Sequence, residues 1–276
     1  MTMMPTANKN SVPKTKPVRV GSTLIGGTCF TLIAGPCSIE NKNHFELTAK
    51  TVNQMGANLI RGGIWKLRTS ADSFQGLGND AFNFIRETLK NTGLNLVSEV
   101  TDPRQIEQIH DFVDMFQIGS RNMHNYALLK EIGKTQKPVL IKRGFAALVD
   151  EWIKSTEYVR QGGNDNIVLC ERGIRTFETC TRNTLDINAV IYVKERTHLP
   201  VIVDPSHGIG IRSMVPPLAL AAAAAGADGI IVEVHPEPEK ALSDGQQTLN
   251  FQEFESLVAN LTKVLDAIGR PLQKPL

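Results

Sequence analysis

The chain has little net charge, few cysteines and no long apolar segment. Its 30 Lys and Arg residues against 28 Asp and Glu leave a formal charge of +2, which excludes the dense basic surface that nucleic acids or anionic membranes attract. The four cysteines, at positions 29, 37, 170 and 180, lack the paired spacing of a zinc finger, and a chain of this size folds without disulfides. We therefore expect a cytoplasmic protein that binds neither nucleic acid nor membrane.

The apolar segments are too short for a membrane span or a secretory signal. The longest weakly polar stretch, residues 217–226, is alanine-rich and falls short of the roughly 20 residues that a spanning helix needs, so we interpret it as a packed helix. Residues 1–17 contain no apolar core, which predicts a flexible N-terminal arm. No change of composition follows residue 30, so we expect residues 18–276 to form one domain with no appended regulatory domain.

Eight short runs of β-branched and aliphatic residues alternate with segments of helical spacing. The predicted strands are 31–35, 58–62, 94–99, 114–119, 138–142, 166–171, 200–204 and 229–234. The predicted helices are 45–55, 81–90, 104–111, 125–133, 151–161, 185–197, 215–225 and 251–268. Apolar strands with helical crossovers indicate a parallel sheet covered on both faces, and eight units in about 250 residues match a (β/α)8 TIM barrel. A doubly wound open sheet is the alternative.

Two further segments precede the first barrel strand. Residues 18–22 and 25–30 are typical of a short β-hairpin, in which Gly26 and Gly27 would supply a tight turn or bulge. We expect this hairpin to close the N-terminal mouth of the barrel. The active site of such a barrel lies at the opposite end, where the strands reach their carboxyl termini.

Metal-binding side chains follow several of the predicted strands at that end. Cys37 follows the first strand, His207 the seventh, Glu233 ends the eighth, and Asp244 lies in the loop beyond. One thiolate, one imidazole and two carboxylates suit Mn, Fe, Co or Zn, so the sequence predicts one divalent metal ion. His235 is a competing ligand, because it lies two residues from Glu233 and therefore on the same face of a strand.

A set of cationic side chains also follows the strands. Guanidinium groups bind phosphate and carboxylate bidentately, and lysine supplies a compact charge. So many cations would repel one another without an anionic ligand, although single members could instead pair with Glu99, Glu171 or Asp204. The pattern predicts a ligand with two anionic groups. The set comprises Arg61, Lys66, Arg68, Arg121, Lys142, Arg143 and Arg172.

Eight motifs together resemble the 3-deoxy-D-arabino-heptulosonate 7-phosphate (DAHP) synthase family, class I, of the compact β subtype. They occur in the family's order across roughly residues 18 to 262. They are Gly35-Pro-Cys-Ser-Ile-Glu, Arg61-Gly-Gly, Lys66-Leu-Arg-Thr-Ser, Ser73-Phe-Gln-Gly-Leu-Gly, Gln117-Ile-Gly-Ser-Arg-Asn-Met, Cys170-Glu-Arg-Gly-Ile-Arg-Thr-Phe-Glu-Thr, Asp204-Pro-Ser-His-Gly and Leu242-Ser-Asp-Gly.

The resemblance implies an enzyme that condenses phosphoenolpyruvate with D-erythrose 4-phosphate and water, releasing phosphate, as the first step of the shikimate pathway. It implies a homotetramer or homodimer, and a metal held by Cys37, His207, Glu233 and Asp244. It further implies that phosphoenolpyruvate is held by Arg61, Lys66, Arg121, Lys142 and Arg172, and the aldose phosphate by Arg68, Thr69 and Ser70. The catalytic group would comprise Cys37, Lys66, Glu99, Asp204 and His207.

Two of these assignments leave alternatives open. Glu99 and Asp204 are candidates for orienting water or relaying a proton, and either could instead be a structural partner of a lysine or arginine. The family's aldose-phosphate loop usually reads Lys-Pro-Arg-Thr-Ser, and Leu67 here replaces the proline. Because proline fixes φ, we expect a less preorganised loop with activity retained.

Three rival functions remain at this point. The related 3-deoxy-manno-octulosonate 8-phosphate synthases use arabinose 5-phosphate, and their counterpart loop carries Asn-Arg-Ser-Ser, whereas this chain has Leu67-Arg-Thr-Ser. A second possibility is a non-catalytic barrel that senses phosphorylated metabolites. A third is an aldolase that forms a Schiff base on Lys142. With no appended domain, we expect no feedback inhibition by aromatic amino acids, prephenate or chorismate.

Overall fold

The fold is a closed barrel of eight parallel strands surrounded by helices. The computed structural model describes residues 15–68 and 70–273. The barrel order is β10-β3-β4-β5-β6-β7-β8-β9, with β10 and β3 closing the ring. This confirms the predicted TIM barrel and rules out the open sheet. Its strands are β3 (Thr31–Gly35), β4 (Leu59–Arg61), β5 (Asn95–Glu99), β6 (Met115–Ile118), β7 (Val139–Lys142), β8 (Ile167–Glu171), β9 (Val201–Val203) and β10 (Gly229–Glu233).

Helices follow the strands in alternation and cover the outside of the barrel. They are α1 (Lys42–Gln54), α2 (Phe82–Thr92), α3 (Arg104–Ile109), α4 (Tyr126–Gly133), α5 (Val149–Gln161), α6 (Ile187–Arg196), α7 (Pro205–Ile209), α8 (Val215–Ala224) and α9 (Phe251–Ala267). Single-turn 3-10 helices lie at Gly78–Ala81, Ser120–Asn122, Arg212–Met214 and Pro238–Lys240. The eight helices that the sequence predicts are all present, and α7 is an addition.

Local sequence fixes several helix ends. The Asn250 side chain accepts from the backbone N–H of Glu253, whose own carboxylate accepts from the N–H of Asn250, so α9 begins with a capping box. Gly93 ends α2 in the left-handed conformation at φ +71°. Such signals explain why the predicted boundaries differ from the observed ones by only a few residues.

Side chains alternate between the two faces of each barrel strand, and this alternation positions the site. An apolar layer fills the barrel interior, and it includes Ile33, Leu59, Val97, Met115, Leu140, Val168, Cys170, Ile202 and Ile231. Residues two further along a strand from a member of this layer face the same way. At the carboxyl end these residues are polar or charged: Arg61, Glu99, Gln117, Lys142, Arg172, Asp204 and Glu233.

A two-stranded hairpin closes the other end of the barrel, as predicted. Strands β1 (Val18–Val20) and β2 (Thr23–Ile25) pair in antiparallel register. Val18, Val20 and Ile25 are buried and belong to the same apolar cluster as the barrel interior. The hairpin is therefore part of the core.

The turn between the two strands is at Gly21, whereas Gly26 and Gly27, where the sequence predicts a tight turn or bulge, follow the second strand. Gly21 has φ +56°, and a Cβ atom there would lie 2.0 Å from the Asn95 Oδ1 atom at the start of β5. Glycine is favoured here by the positive φ, and a larger residue would displace the Asn95 side chain. Gly26, at φ +88°, follows the second strand and lies against Pro200.

Three further expectations concern membrane-spanning segments, the N-terminal arm and the cysteines. Within the described ranges, no helix combines the length and apolarity needed to span a membrane. Most of the predicted arm, residues 1–14, lies outside those ranges. All four cysteines are free thiols.

Candidate active site

The four predicted metal ligands converge at the carboxyl end of the barrel. Ligand atoms of Cys37, His207, Glu233 and Asp244 all lie within 4.8 Å of one another. The Cys37 thiol donates to Asp244 Oδ2 at 3.1 Å. His207 Nε2 lies 3.3 Å from Glu233 Oε1 and 3.7 Å from Asp244 Oδ2. Four segments that are distant in sequence thus present one small cluster of donors.

This cluster has the properties of a metal site. Glu233 Oε1 is buried and has no hydrogen-bond partner within the described part of the chain. The Arg61 guanidinium lies 3.4 Å from it, so a metal ion there would complete the compensation of this carboxylate. Metal–ligand distances of 2.0–2.3 Å in a tetrahedral site place the ligand atoms about 3.3 to 3.7 Å apart, close to the observed separations. The residues therefore fit a divalent ion of the borderline class.

Backbone conformation positions two of these ligands. Gly35, just before the Cys37 loop, has φ +152°, and a Cβ atom there would lie 2.2 Å from the Arg61 carbonyl oxygen. Asp244 has φ +54°, a conformation that non-glycine residues rarely adopt and that concentrates at functional sites. The Gln247 side chain donates to Glu233 Oε2 at 2.8 Å and thereby orients that carboxylate.

Asp204 connects the ligand His207 to the cation Lys142. It caps α7 by accepting from the His207 backbone N–H at 2.9 Å, and its Oδ2 atom lies 2.8 Å from His207 Nδ1. The Lys142 ammonium donates to the same oxygen at 2.5 Å. Such a carboxylate fixes the imidazole tautomer so that Nε2 presents its lone pair to the metal position.

The pKa values of these groups agree with that role. Burial lowers the pKa of His207, so the ring is neutral at pH 7, which is the ligating form. Burial opposes ionisation of Asp204, but His207 and Lys142 more than offset this and hold its pKa well below the usual range. Burial, together with the Glu233 charge, raises the pKa of the Cys37 thiol.

A strongly cationic cavity of about 300 Å³ adjoins the cluster. His207 and Asp244 form part of its wall. Among the described residues that line it, seven are Lys or Arg and two are carboxylates, Glu99 and Asp244, so the cavity suits a polyanion. The seven cations are Arg61, Lys66, Arg68, Arg121, Lys142, Arg172 and Arg182.

Six of the seven cations that the sequence predicts for this rim therefore line the cavity, and Arg143 does not. The Arg143 guanidinium Nη1 atom pairs with Glu171 at 3.0 Å and Asp186 at 2.9 Å, behind the barrel wall. Glu99 lies 3.7 Å from Lys66, and Ser70 lines the cavity. Thr69, the remaining predicted aldose contact, lies outside the described residues.

His235 is not part of the four-residue cluster, contrary to the expectation of a competing ligand. Its Nε2 atom instead lies 3.4 Å from Glu40 Oε2. Strand β10 ends at Glu233, so the alternation that would place residues 233 and 235 on one face no longer applies beyond that point.

Among the cavity residues that sequence reasoning missed, two contact its charged groups directly. Phe145 lies among three guanidinium groups, with ring-centroid distances of 4.8 Å to Arg172, 4.8 Å to Arg175 and 5.5 Å to Arg121. Arg182 donates to Asp244 Oδ1 at 3.1 Å and to Gln247 Oε1 at 3.0 Å. Both residues, Phe145 and Arg182, lie in irregular loops, where neither strand nor helix periodicity gives a signal.

Comparisons with known proteins agree on one family. A family model described as the DAHP synthetase I family matches residues 9–268. The phospho-2-dehydro-3-deoxyheptonate aldolase of Thermotoga maritima is 48% identical over 257 residues, which span 93% of this chain and 76% of that protein. The 2-dehydro-3-deoxyphosphooctonate aldolase of Caulobacter vibrioides is 32% identical over 271 residues, which span 91% of each chain.

The fold agrees with the same assignment. A crystal structure of the DAHP synthase from Thermotoga maritima is similar with a TM-score of 0.92 and 46% identity, covering 95% of this chain and 76% of that one. The family model spans nearly the whole described barrel, and the Thermotoga relative is similar in both sequence and structure. The chain therefore belongs to the DAHP synthetase I family.

Proposed function

We propose that this enzyme condenses phosphoenolpyruvate with D-erythrose 4-phosphate and water, giving DAHP and phosphate, with one divalent metal ion held by Cys37, His207, Glu233 and Asp244. One observation carries the proposal: the donor cluster adjoins the cavity that the seven cations line, and its members His207 and Asp244 form part of the cavity wall. A metal beside a cationic wall is what a reaction between two phosphorylated substrates requires.

The cations at the strand ends suit phosphoenolpyruvate, which carries a phosphate and a carboxylate. The proposed contacts are Arg61, Lys66, Arg121, Lys142 and Arg172. Of these, Arg61, Lys142 and Arg172 are buried, so water screens their attraction for an anion only weakly. Arg68 and Ser70 come from the loop after β4, so they suit the phosphate of the aldose, together with Thr69. Arg68 also donates to Ser243 Oγ, which ties this loop to the segment that carries Asp244.

In the proposed reaction, the enol carbon of phosphoenolpyruvate attacks the aldehyde carbon of erythrose 4-phosphate. A bound metal supplies a Lewis acid for the aldehyde oxygen. Water then adds to C2, and the C2–O bond to phosphate breaks. Because Glu99 lines the cavity, we assign it the role of orienting that water and taking its proton. Asp204 is engaged by Lys142 and His207, so we assign it the role of positioning them.

The test is loss of the enol absorbance of phosphoenolpyruvate with purified protein. We expect consumption with erythrose 4-phosphate, its loss after chelation, and its return with Mn²⁺. Turnover with arabinose 5-phosphate in its place would assign the chain to the octulosonate activity that the name of the Caulobacter relative describes. No turnover with either aldose, despite bound metal, would favour a metabolite sensor.

Metal binding is expected to release a proton from the site. Because burial and the Glu233 charge raise the pKa of Cys37, the thiol is protonated at pH 7 without metal, and coordination requires the thiolate. Calorimetric titration with Zn²⁺ in buffers of different ionisation enthalpy measures the protons released. About one proton per chain is expected at pH 7, and a value near zero would contradict coordination by Cys37.

Replacing Phe145 by leucine is expected to raise KM for phosphoenolpyruvate about 5- to 30-fold with kcat little changed, because each cation–π contact contributes about 0.5–1 kcal/mol. The ring contacts the guanidinium groups of Arg121 and Arg172 and reduces their mutual repulsion. Steady-state kinetics with Phe145→Tyr as the control should show wild-type KM. An unchanged KM in the leucine variant would mean that the arginines are held by other contacts.

A further inference from the structure

A second group of metal-binding side chains lies beside the proposed catalytic cluster. Ligand atoms of Glu40, His44 and His235 lie within 4.8 Å of one another. Glu40 follows Cys37 in the loop after β3, His44 is in the first turn of α1, and His235 follows β10. None of the three lines the cationic cavity.

Several polar atoms of this group lack partners. His235 is 2% exposed, and its Nε2 atom has no hydrogen-bond partner among the described residues. The same holds for the buried Nδ1 atom of His44. The Glu40 side chain is 5% exposed, and its Oε1 atom accepts from the Leu242 backbone N–H at 2.6 Å. Its Oε2 atom lies 3.4 Å from the unpartnered His235 nitrogen, so this buried carboxylate is poorly compensated.

The spacing of these atoms suits a transition metal. His235 Nε2 lies 3.4 Å from Glu40 Oε2, which matches the ligand separation of about 3.3 to 3.5 Å in a tetrahedral site with bonds of 2.0–2.2 Å. Two imidazoles and one carboxylate are a common zinc ligand set, with a position left for water. We propose that Glu40, His44 and His235 form a second Zn²⁺-class site, distinct from the catalytic cluster.

Occupancy of this site has a structural consequence at His235. Its Nδ1 atom accepts from the Glu237 backbone N–H at 3.0 Å, so the neutral ring carries its proton on Nε2. Ligation through Nε2 moves that proton to Nδ1 and breaks this hydrogen bond. Glu237 is exposed, so its N–H can bind water instead. Ion binding therefore shifts the turn at residues 236–240.

A bound ion would also join two segments that carry catalytic ligands. Glu40 lies in the same loop as Cys37, His44 lies in the helix that follows that loop, and His235 precedes the segment that ends in Asp244. The site is thus a stabilising cross-link between these loops. This second site would bind its ion whether or not the enzyme turns over substrate, so its test is a metal count that does not depend on catalytic activity.

The test counts metal ions per chain. Protein freed of metal by chelation is equilibrated with Zn²⁺, dialysed and analysed by mass spectrometry. We expect two ions in the wild type, one in His44→Gln and one in Cys37→Ser. His124→Gln alters an exposed histidine outside the cluster and should retain two. One ion in the wild type, or two in His44→Gln, would overturn the proposal.

Absorption spectra of the Co²⁺-loaded variants show which of the two sites has lost its ion. Co²⁺ bound to a thiolate gives charge-transfer absorption, and Co²⁺ bound only to imidazole and carboxylate gives weak d–d bands alone. Cys37→Ser should keep the d–d bands without charge transfer, while Glu40→Gln and His44→Gln keep charge transfer and lose the second equivalent. Equal loss of charge transfer in His44→Gln would show that the three residues merely support the first site.

Discussion

Cys37→Ser is expected to lose at least about 10³-fold in kcat/KM, together with the catalytic metal ion. Losing the Lewis acid removes several kcal/mol of transition-state stabilisation, and each 1.36 kcal/mol is a factor of ten in rate. Cys37 is the only soft ligand of the cluster, and a serine hydroxyl does not ionise in a buried site. Its loss also removes the contact with Asp244. Steady-state kinetics and metal analysis of the same preparation measure both effects.

The control for this substitution is Cys29→Ser. Cys29 is a free thiol that lies away from the cavity, before β3. Wild-type rates in Cys29→Ser, beside a collapse in Cys37→Ser, would assign the loss to the cluster. Full activity in Cys37→Ser after chelation would instead mean that condensation proceeds without the metal, and the proposed mechanism would be wrong.

Glu171→Ala is expected to destabilise the fold by about 3–5 kcal/mol, the usual effect of removing one partner of a buried ion pair. Glu171 is fully buried, and its carboxylate accepts from the Arg143 guanidinium at 3.0 Å. It also accepts from the Gly173 N–H at 2.7 Å. The variant leaves the buried Arg143 guanidinium with Asp186 as its one remaining carboxylate among the described residues, and it leaves the Gly173 N–H without its acceptor. The midpoint of thermal unfolding should fall by roughly 6 to 20 °C.

Asp165→Ala tests whether burial of the ion pair causes the loss of stability expected in Glu171→Ala. Asp165 pairs with Arg160 at 2.8 Å, but both side chains are more than half exposed. An exposed pair contributes about 0–1 kcal/mol, so its loss should be small. Urea unfolding of the two variants beside the wild type gives the comparison, and equal losses would refute the explanation.

The barrel could be predicted because its strands and helices differ in period. Each predicted strand agrees with the observed one to within a residue or two, since inner and outer faces are both apolar along runs such as Ile167–Glu171. The sequence analysis did not single out Gly21, where the two strands of the hairpin are joined. The need for Gly21 comes from its contact with Asn95, which only the fold reveals.

The site was predictable where it lies on strands and unpredictable where it lies in loops. Alternation along β7 separates Lys142, which shares the inner face with Leu140, from Arg143, which faces outward. Applying that rule would have removed Arg143 from the predicted rim. Strand alternation does not apply to Phe145 and Arg182, which lie in loops, so their positions in the cavity could not be predicted. The conformation of a loop depends on contacts between segments that are distant in sequence. The oligomeric state and the identity of the metal stay predictions.

The packed interior of the barrel leaves ligands one way in and out. Because Val18, Val20 and Ile25 join the apolar layer that fills the barrel, every ligand passes through the entrance at the carboxyl ends of the strands. The buried cations at the strand ends bind at the bottom of this entrance, and Arg68 and Ser70 bind nearer its rim. A ligand at the rim blocks the passage to the bottom. We therefore expect an ordered kinetic mechanism, in which phosphoenolpyruvate enters before the aldose.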